Sequence, residues 1–67
     1  MKHSDFWERM AATFGDGYAR SVAADHTLDM LGGRTVDQAL ADGTGTKEIW
    51  MAVCRTWPDR VPERLVR

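Results

Sequence analysis

Apolar residues recur at helical spacing through most of the chain. Phe6, Trp7, Met10, Ala11 and Phe14 fall on one arc at 100° per residue, with Asp5, Glu8, Arg9 and Thr13 outside it. That spacing predicts a first amphipathic helix. Ser4 is placed to cap its first amides, Asp5 and Glu8 lie near the positive end of its dipole, and Gly15 ends it. The stretch Tyr18 to Leu31 behaves differently. Ala19, Val22, Ala23 and Met30 cover one arc, with His26 inside it, while Ala24, Leu28 and Leu31 cover a second. Two apolar arcs on one helix demand packing partners on two sides. The stretch is therefore expected to be a central helix over 18–31, opened by Asp16 and stopped by the left-handed backbone that Gly32-Gly33 allows.

Beyond Arg34 the spacing shortens. Thr35 with Gln38 three residues on matches a capping box, and Val36, Ala39 and Leu40 follow at i, i+3, i+4, so a short third helix is expected to about Asp42. Thr46 is expected to cap a fourth helix carrying Ile49, Trp50, Val53, Cys54 and Trp57, the same spacing as the first helix. The economical packing sets these two aromatic faces against the two arcs of the central helix. Pro58 disfavours helical geometry at Trp57 and closes the element. Residues 58–67 hold two prolines among alternating charges, which reads as a mobile tail, or as one helical turn from Pro62 that docks Leu65 and Val66. The expected fold is an all-α single small domain of four helices, the third short, over residues 1–57, with a C-terminal tail over 58–67.

Composition narrows the classes. Sixty-seven residues make one domain at most, and a chain this short buries only about 60% of its unfolded surface. One cysteine, Cys54, excludes an intramolecular disulfide and cannot alone hold zinc. No apolar run is long enough for a signal peptide or a membrane span, and a lone cysteine fits a reducing compartment, so a cytoplasmic protein is expected. The net charge is −1 and evenly spread, with no positive excess of the kind that bulk nucleic-acid binding requires.

Candidate chemistry is sparse. His3, His26 and Cys54 match no metal spacing, no phosphate loop is present, and no acid, base and nucleophile can be placed together, so neither a cofactor nor an enzymatic activity is expected. His26 reads as a partly buried packing residue. Cys54 reads as a small hydrophobe on the buried arc, and Tyr18, Trp50 and Trp57 as core aromatics. Three tryptophans exceed the need of a domain this small, so one is expected half exposed. Asp25 and Asp29, i and i+4 on the expected helix, form a possible acidic docking spot that Arg34 is placed to relieve. The helix pair 35–57 has the small residue, the turn glycine and the branched apolar residue of a helix-turn-helix at Ala39, Gly43 and Ile49. Its solvent side would carry Lys47, Glu48, Met51, Ala52 and Arg55. That face has no Asn or Gln and is a poor reader of bases.

Several blocks carry a family resemblance: Phe6-Trp7-Glu8-Arg9-Met10, Tyr18-Ala19-Arg20-Ser21, Asp25-His26, Leu31-Gly32-Gly33-Arg34-Thr35-Val36, Ala39-Leu40-Ala41, Gly43 and Trp50-Met51-Ala52-Val53-Cys54. Over roughly residues 1–57 the chain resembles the small actinobacterial proteins of the domain of unknown function 3046. The resemblance implies an actinobacterial, cytoplasmic origin and transfers no activity. The expected function is a small accessory module that binds another protein, with Lys47, Met51 and Arg55 as the partner-binding surface. The alternative is a nucleic-acid-binding accessory that uses the helix pair 35–57. No membrane contact and no small-molecule substrate are expected.

Overall fold

Phe6, Met10 and Phe14, four residues apart, lie buried along one face of α1 (His3–Phe14), as the first apolar arc predicts. The computed structural model describes residues 1–66 and is all-α apart from one two-residue strand pair. Arg67, the last residue of the expected tail, lies outside the described residues. Four α-helices are present, the third short, in the expected order. The start of α1 differs from expectation. Lys2, not Ser4, stands at the cap position and supplies no side-chain bond. At the other end Gly15, with φ +91°, donates to the Ala11 carbonyl at 2.8 Å while its own carbonyl accepts from Ala19 at 2.9 Å. One left-handed glycine thus joins α1 directly to α2 (Asp16–Asp25), with Asp16 inside the first turn instead of capping it.

The central helix expected over 18–31 is the main correction. It stops at Asp25, and His26 is extended. Strand β1 (Thr27–Leu28) follows, then a 3-10 turn at Asp29–Leu31, then Gly32 and Gly33, and strand β2 (Arg34–Thr35) pairs antiparallel with β1. Thr27 faces Thr35 and Leu28 faces Arg34. The glycines are left-handed as expected, at φ +70° and +78°, but they close a hairpin and not a long helix. The two apolar arcs now have a simple cause. Ala19, Val22 and Ala23 are the buried face of α2, whereas Leu28 and Leu31 are buried from a non-helical segment. Ala24 and Met30, assigned to those arcs, are exposed.

Thr35 closes the hairpin and opens α3 (Val36–Ala41) with a complete capping box: its hydroxyl accepts from Gln38 N at 3.1 Å and its own N–H donates to Gln38 Oε1 at 2.8 Å. Gly43, at φ +86°, ends α3, and the bonds from Gly43 N to Leu40 O and from Thr44 N to Ala39 O form a Schellman motif. Helix α4 (Thr46–Thr56) starts from Gly45, because the Thr46 hydroxyl donates to the Met1 carbonyl instead of capping its own helix. α1 packs on α2 and on α4, and α3 on α2 and α4. α4 meets the 27–31 segment, so the fourth helix reaches the second apolar arc through the hairpin and not through a long central helix. The core gathers Phe6, Met10, Val22, Leu28, Val36, Ile49, Trp50 and Val53.

Residues 58–66, expected as a mobile tail, pack back on the helices. Val61 is buried, Glu63–Leu65 form a 3-10 turn, and Leu65 is half-buried, as the docked-turn reading has it; Val66 is exposed. Trp50 Nε1 donates to the Leu65 carbonyl at 2.6 Å, which ties this segment to α4.

Candidate functional site

The solvent face of α4 carries Lys47, Met51 and Arg55 at i, i+4 and i+8, all exposed as expected. Ala52, expected on the same face, is buried at 2% exposure. A helix turns 100° per residue, so position 52 lies about 100° round from position 51 and joins the buried core. Lys47 and Met51 line a groove of about 520 Å³ that α4 shares with α1 and the two chain ends. Asp5 and Arg9, one turn apart on α1, line it as well, together with Trp50, Met1 and Val66. The local chemistry explains this assembly. The Thr46 hydroxyl holds Met1 beside the start of α4, and the Leu65 carbonyl holds Val66 beside Trp50.

Arg55 falls elsewhere. It lines a second, smaller groove of about 320 Å³ with Leu28, Asp29, Met30 and Thr56. The three residues assigned to one partner surface are thus divided between two grooves along one helix. Asp25 and Asp29 are divided as well. Both are exposed, but Asp25 ends α2 and Asp29 begins the 3-10 turn, with β1 between them, so the i, i+4 helical spacing that paired them does not exist. Arg34 does not serve them. Its guanidinium donates to Asp42 Oδ2 at 2.5 Å and through Nε to the Leu31 carbonyl at 2.8 Å, fastening the hairpin to the end of α3.

Arg9 is the most connected charge in the larger groove. Its guanidinium stands 5.9 Å from the Trp50 ring centroid, and Nη1 donates to the Leu65 carbonyl at 3.3 Å. It also acts on Cys54. That thiol is buried, as expected, and burial pushes its pKa above the ordinary thiol value while the Arg9 charge pulls the other way. Such a thiol is a poor nucleophile at neutral pH. The sequence pattern places Arg9 only outside the apolar arc of the first helix. The signal for it was Trp50, because a buried indole N–H must find an acceptor, and that acceptor is what Arg9 shares.

The other aromatics do not line this groove. Tyr18, expected in the core, is 52% exposed; it lies one position before the buried Ala19 on α2. Trp7 and Trp57 are half-buried, in keeping with the surplus of tryptophan. Arg20 stacks on the Trp7 ring at 4.0 Å. His26, expected to be partly buried, is exposed, with its ring edge-on to Trp57 at 5.6 Å. Among the described residues no three metal-ligating side chains gather, and no helix is long and apolar enough to cross a membrane.

A family model described as "Protein of unknown function (DUF3046)" matches residues 1–64. The chain belongs to this family. The match takes in Val61 and part of the 3-10 turn, so DUF3046 membership extends past residue 57, where the resemblance stopped. No curated protein and no solved structure matches this DUF3046 chain.

Proposed function

We propose that this protein is a non-enzymatic cytoplasmic accessory module that binds another protein through the groove between α1 and α4. One observation carries the reading: of the five exposed large hydrophobic residues, three (Met1, Met51 and Val66) gather at this groove. Clustered apolar side chains rimmed by charge are the usual mark of a docking surface, whereas single scattered ones are ordinary. Trp50 beneath them and Arg9 beside it are residue types that dominate binding energy at such surfaces. Lys47 and Asp5 at the rim would set orientation more than affinity.

The test is capture of partners from lysate by the intact protein and by Met51→Asp, with and without nuclease, at low salt and at about 0.5 M salt, where screening is strong. Position 51 is exposed, so Met51→Asp should keep the melting temperature. The reading expects a partner that survives nuclease and salt and is lost with Met51→Asp. The helix pair α3–α4 supports a nucleic-acid reading only through its shape. That reading expects everything captured to vanish with nuclease, a steep salt dependence, and loss on Lys47→Ala and Arg55→Ala.

A further inference from the structure

The Leu65 carbonyl is held by two donors from two helices, the Trp50 indole at 2.6 Å and the Arg9 guanidinium at 3.3 Å. Trp50 is 1% exposed, so its N–H has been withdrawn from water and needs an acceptor at this place. The acceptor supplied is a backbone carbonyl, which every peptide has. Nothing in these two bonds depends on which chain delivers it. What fits beside it is the half-buried Leu65 side chain; Glu63, Arg64 and Val66 point to solvent.

The segment that delivers the carbonyl is lightly attached. Val61 is buried and bonded to the Trp57 carbonyl at 3.2 Å, which fixes the chain up to that point. From Pro62 onward the backbone bonds are local, Leu65 N to Pro62 O at 2.8 Å and Val66 N to Glu63 O at 3.2 Å, and therefore add nothing to its docking. A short turn with mostly exposed side chains belongs to the low-stability end of a structure, where local opening is cheap.

We propose that Arg9 and Trp50 form a peptide-binding subsite, and that Pro62–Val66 is its exchangeable occupant, displaced by a leucine-bearing segment of a partner protein that offers its own backbone carbonyl. The segment already seated there has that chemistry, a backbone carbonyl beside a leucine side chain. The proposal rests on the docking reading of the same groove and adds its regulation. While the chain's own turn fills the subsite, a partner meets Met1, Met51, Val66 and the charged rim of the groove; displacing the turn opens Trp50 and Arg9. The closed turn lowers apparent affinity in proportion to the fraction of molecules that are open.

The experiment uses the full chain, isotope-labelled, and follows the Trp50 indole N–H resonance as the probe peptide acetyl-Pro-Glu-Arg-Leu-Val-amide is added. The expected result is a saturable shift, about tenfold tighter in Leu65→Gly than in the parent, because loosening the turn raises the open fraction. Arg9→Lys, which keeps the charge and loses the planar fork, should weaken it several-fold. A melting curve of each variant confirms folding. An indole resonance that ignores the peptide in both parent and Leu65→Gly overturns the proposal, and so does equal affinity in the two. Concentration-dependent dimers of Leu65→Gly without peptide would give the subsite to a second copy and equally overturn it. The two readings fail separately: a partner lost with Met51→Asp alongside a peptide-blind Trp50 keeps the docking surface and removes the exchangeable turn.

Discussion

The capping box at the start of α3 makes the sharpest stability prediction. Thr35→Ala removes the hydroxyl that accepts from Gln38 N, a loss of about 1 kcal/mol for a typical cap. Thr35 is only 8% exposed, so the missing methyl adds about 0.8 kcal/mol by the usual value for one buried carbon. Thr35→Ser keeps the hydroxyl and loses only the methyl, which separates the two contributions. A chain of 67 residues has an unfolding entropy near 0.14 kcal/mol/K, from about 2.1 cal/mol/K per residue. The expected drop in melting temperature is therefore about 13 °C for Thr35→Ala and about 6 °C for Thr35→Ser. Gln38→Ala strips the Thr35 N–H of its acceptor and should cost about 1 kcal/mol. Because the two bonds hold one another in place, the double variant should fall short of the sum by about 0.5 kcal/mol. Thermal and urea unfolding of the parent and the four variants measure this. If Thr35→Ser proves as damaging as Thr35→Ala, the hydroxyl contributes nothing and the capping argument fails.

Other outcomes follow from single sites. Cys54 has a raised pKa when folded, so the stability that burial confers on its neutral thiol is fully present below the ordinary thiol pKa and is lost as pH rises through the folded value; Cys54→Ala should flatten that alkaline limb in a melting-temperature profile. The same burial predicts slow alkylation of the native thiol and fast alkylation in urea. At Gly33 an added Cβ meets no atom within 4 Å, yet φ is +78°, so Gly33→Ala should lower stability by about 1–2 kcal/mol through backbone strain alone, and Gly33→Asn by less, in urea titrations. Arg34 and Asp42 are 40% and 53% exposed, so Asp42→Asn should cost at most about 0.5 kcal/mol, less still in high salt; Arg34→Ala should cost more, because it also surrenders the bond to the Leu31 carbonyl.

The parts of the fold that were legible are those in which side-chain period and backbone agree. Phe6, Met10 and Phe14 on α1, and Ile49, Trp50, Val53 and Cys54 on α4, announce buried faces, and Thr35 with Gln38 announces a cap. The stretch 18–31 misleads because Leu28 and Leu31 keep helical spacing although they sit on a strand and a 3-10 turn. Two arcs that no single helix can bury comfortably were the trace of that break. Thr27, β-branched and next to the helix end, and the paired glycines at 32 and 33 suit a hairpin better than a helix stop.

The groove between α1 and α4 was half legible for a different reason. Lys47 and Met51 stand out on a helical wheel, because exposure on one helix is a matter of period. Met1, Val66 and Arg9 do not, because backbone carbonyls bring them there: that of Met1 held by Thr46, that of Leu65 held by Trp50 and Arg9. A carbonyl is common to every residue and leaves no mark in the pattern of side chains. The buried indole is the exception, since its single donor obliges some acceptor to come to it. Two prolines and alternating charges make residues 58–66 look solvated, but the Trp50 donor outweighs that composition at one atom of Leu65. The molecule is open to change at the same place. A segment recruited by one carbonyl can be replaced by another that offers one, whereas the arcs of α1 and α4, filled by Phe6 and Ile49 at 0% exposure, have no room for a substitute.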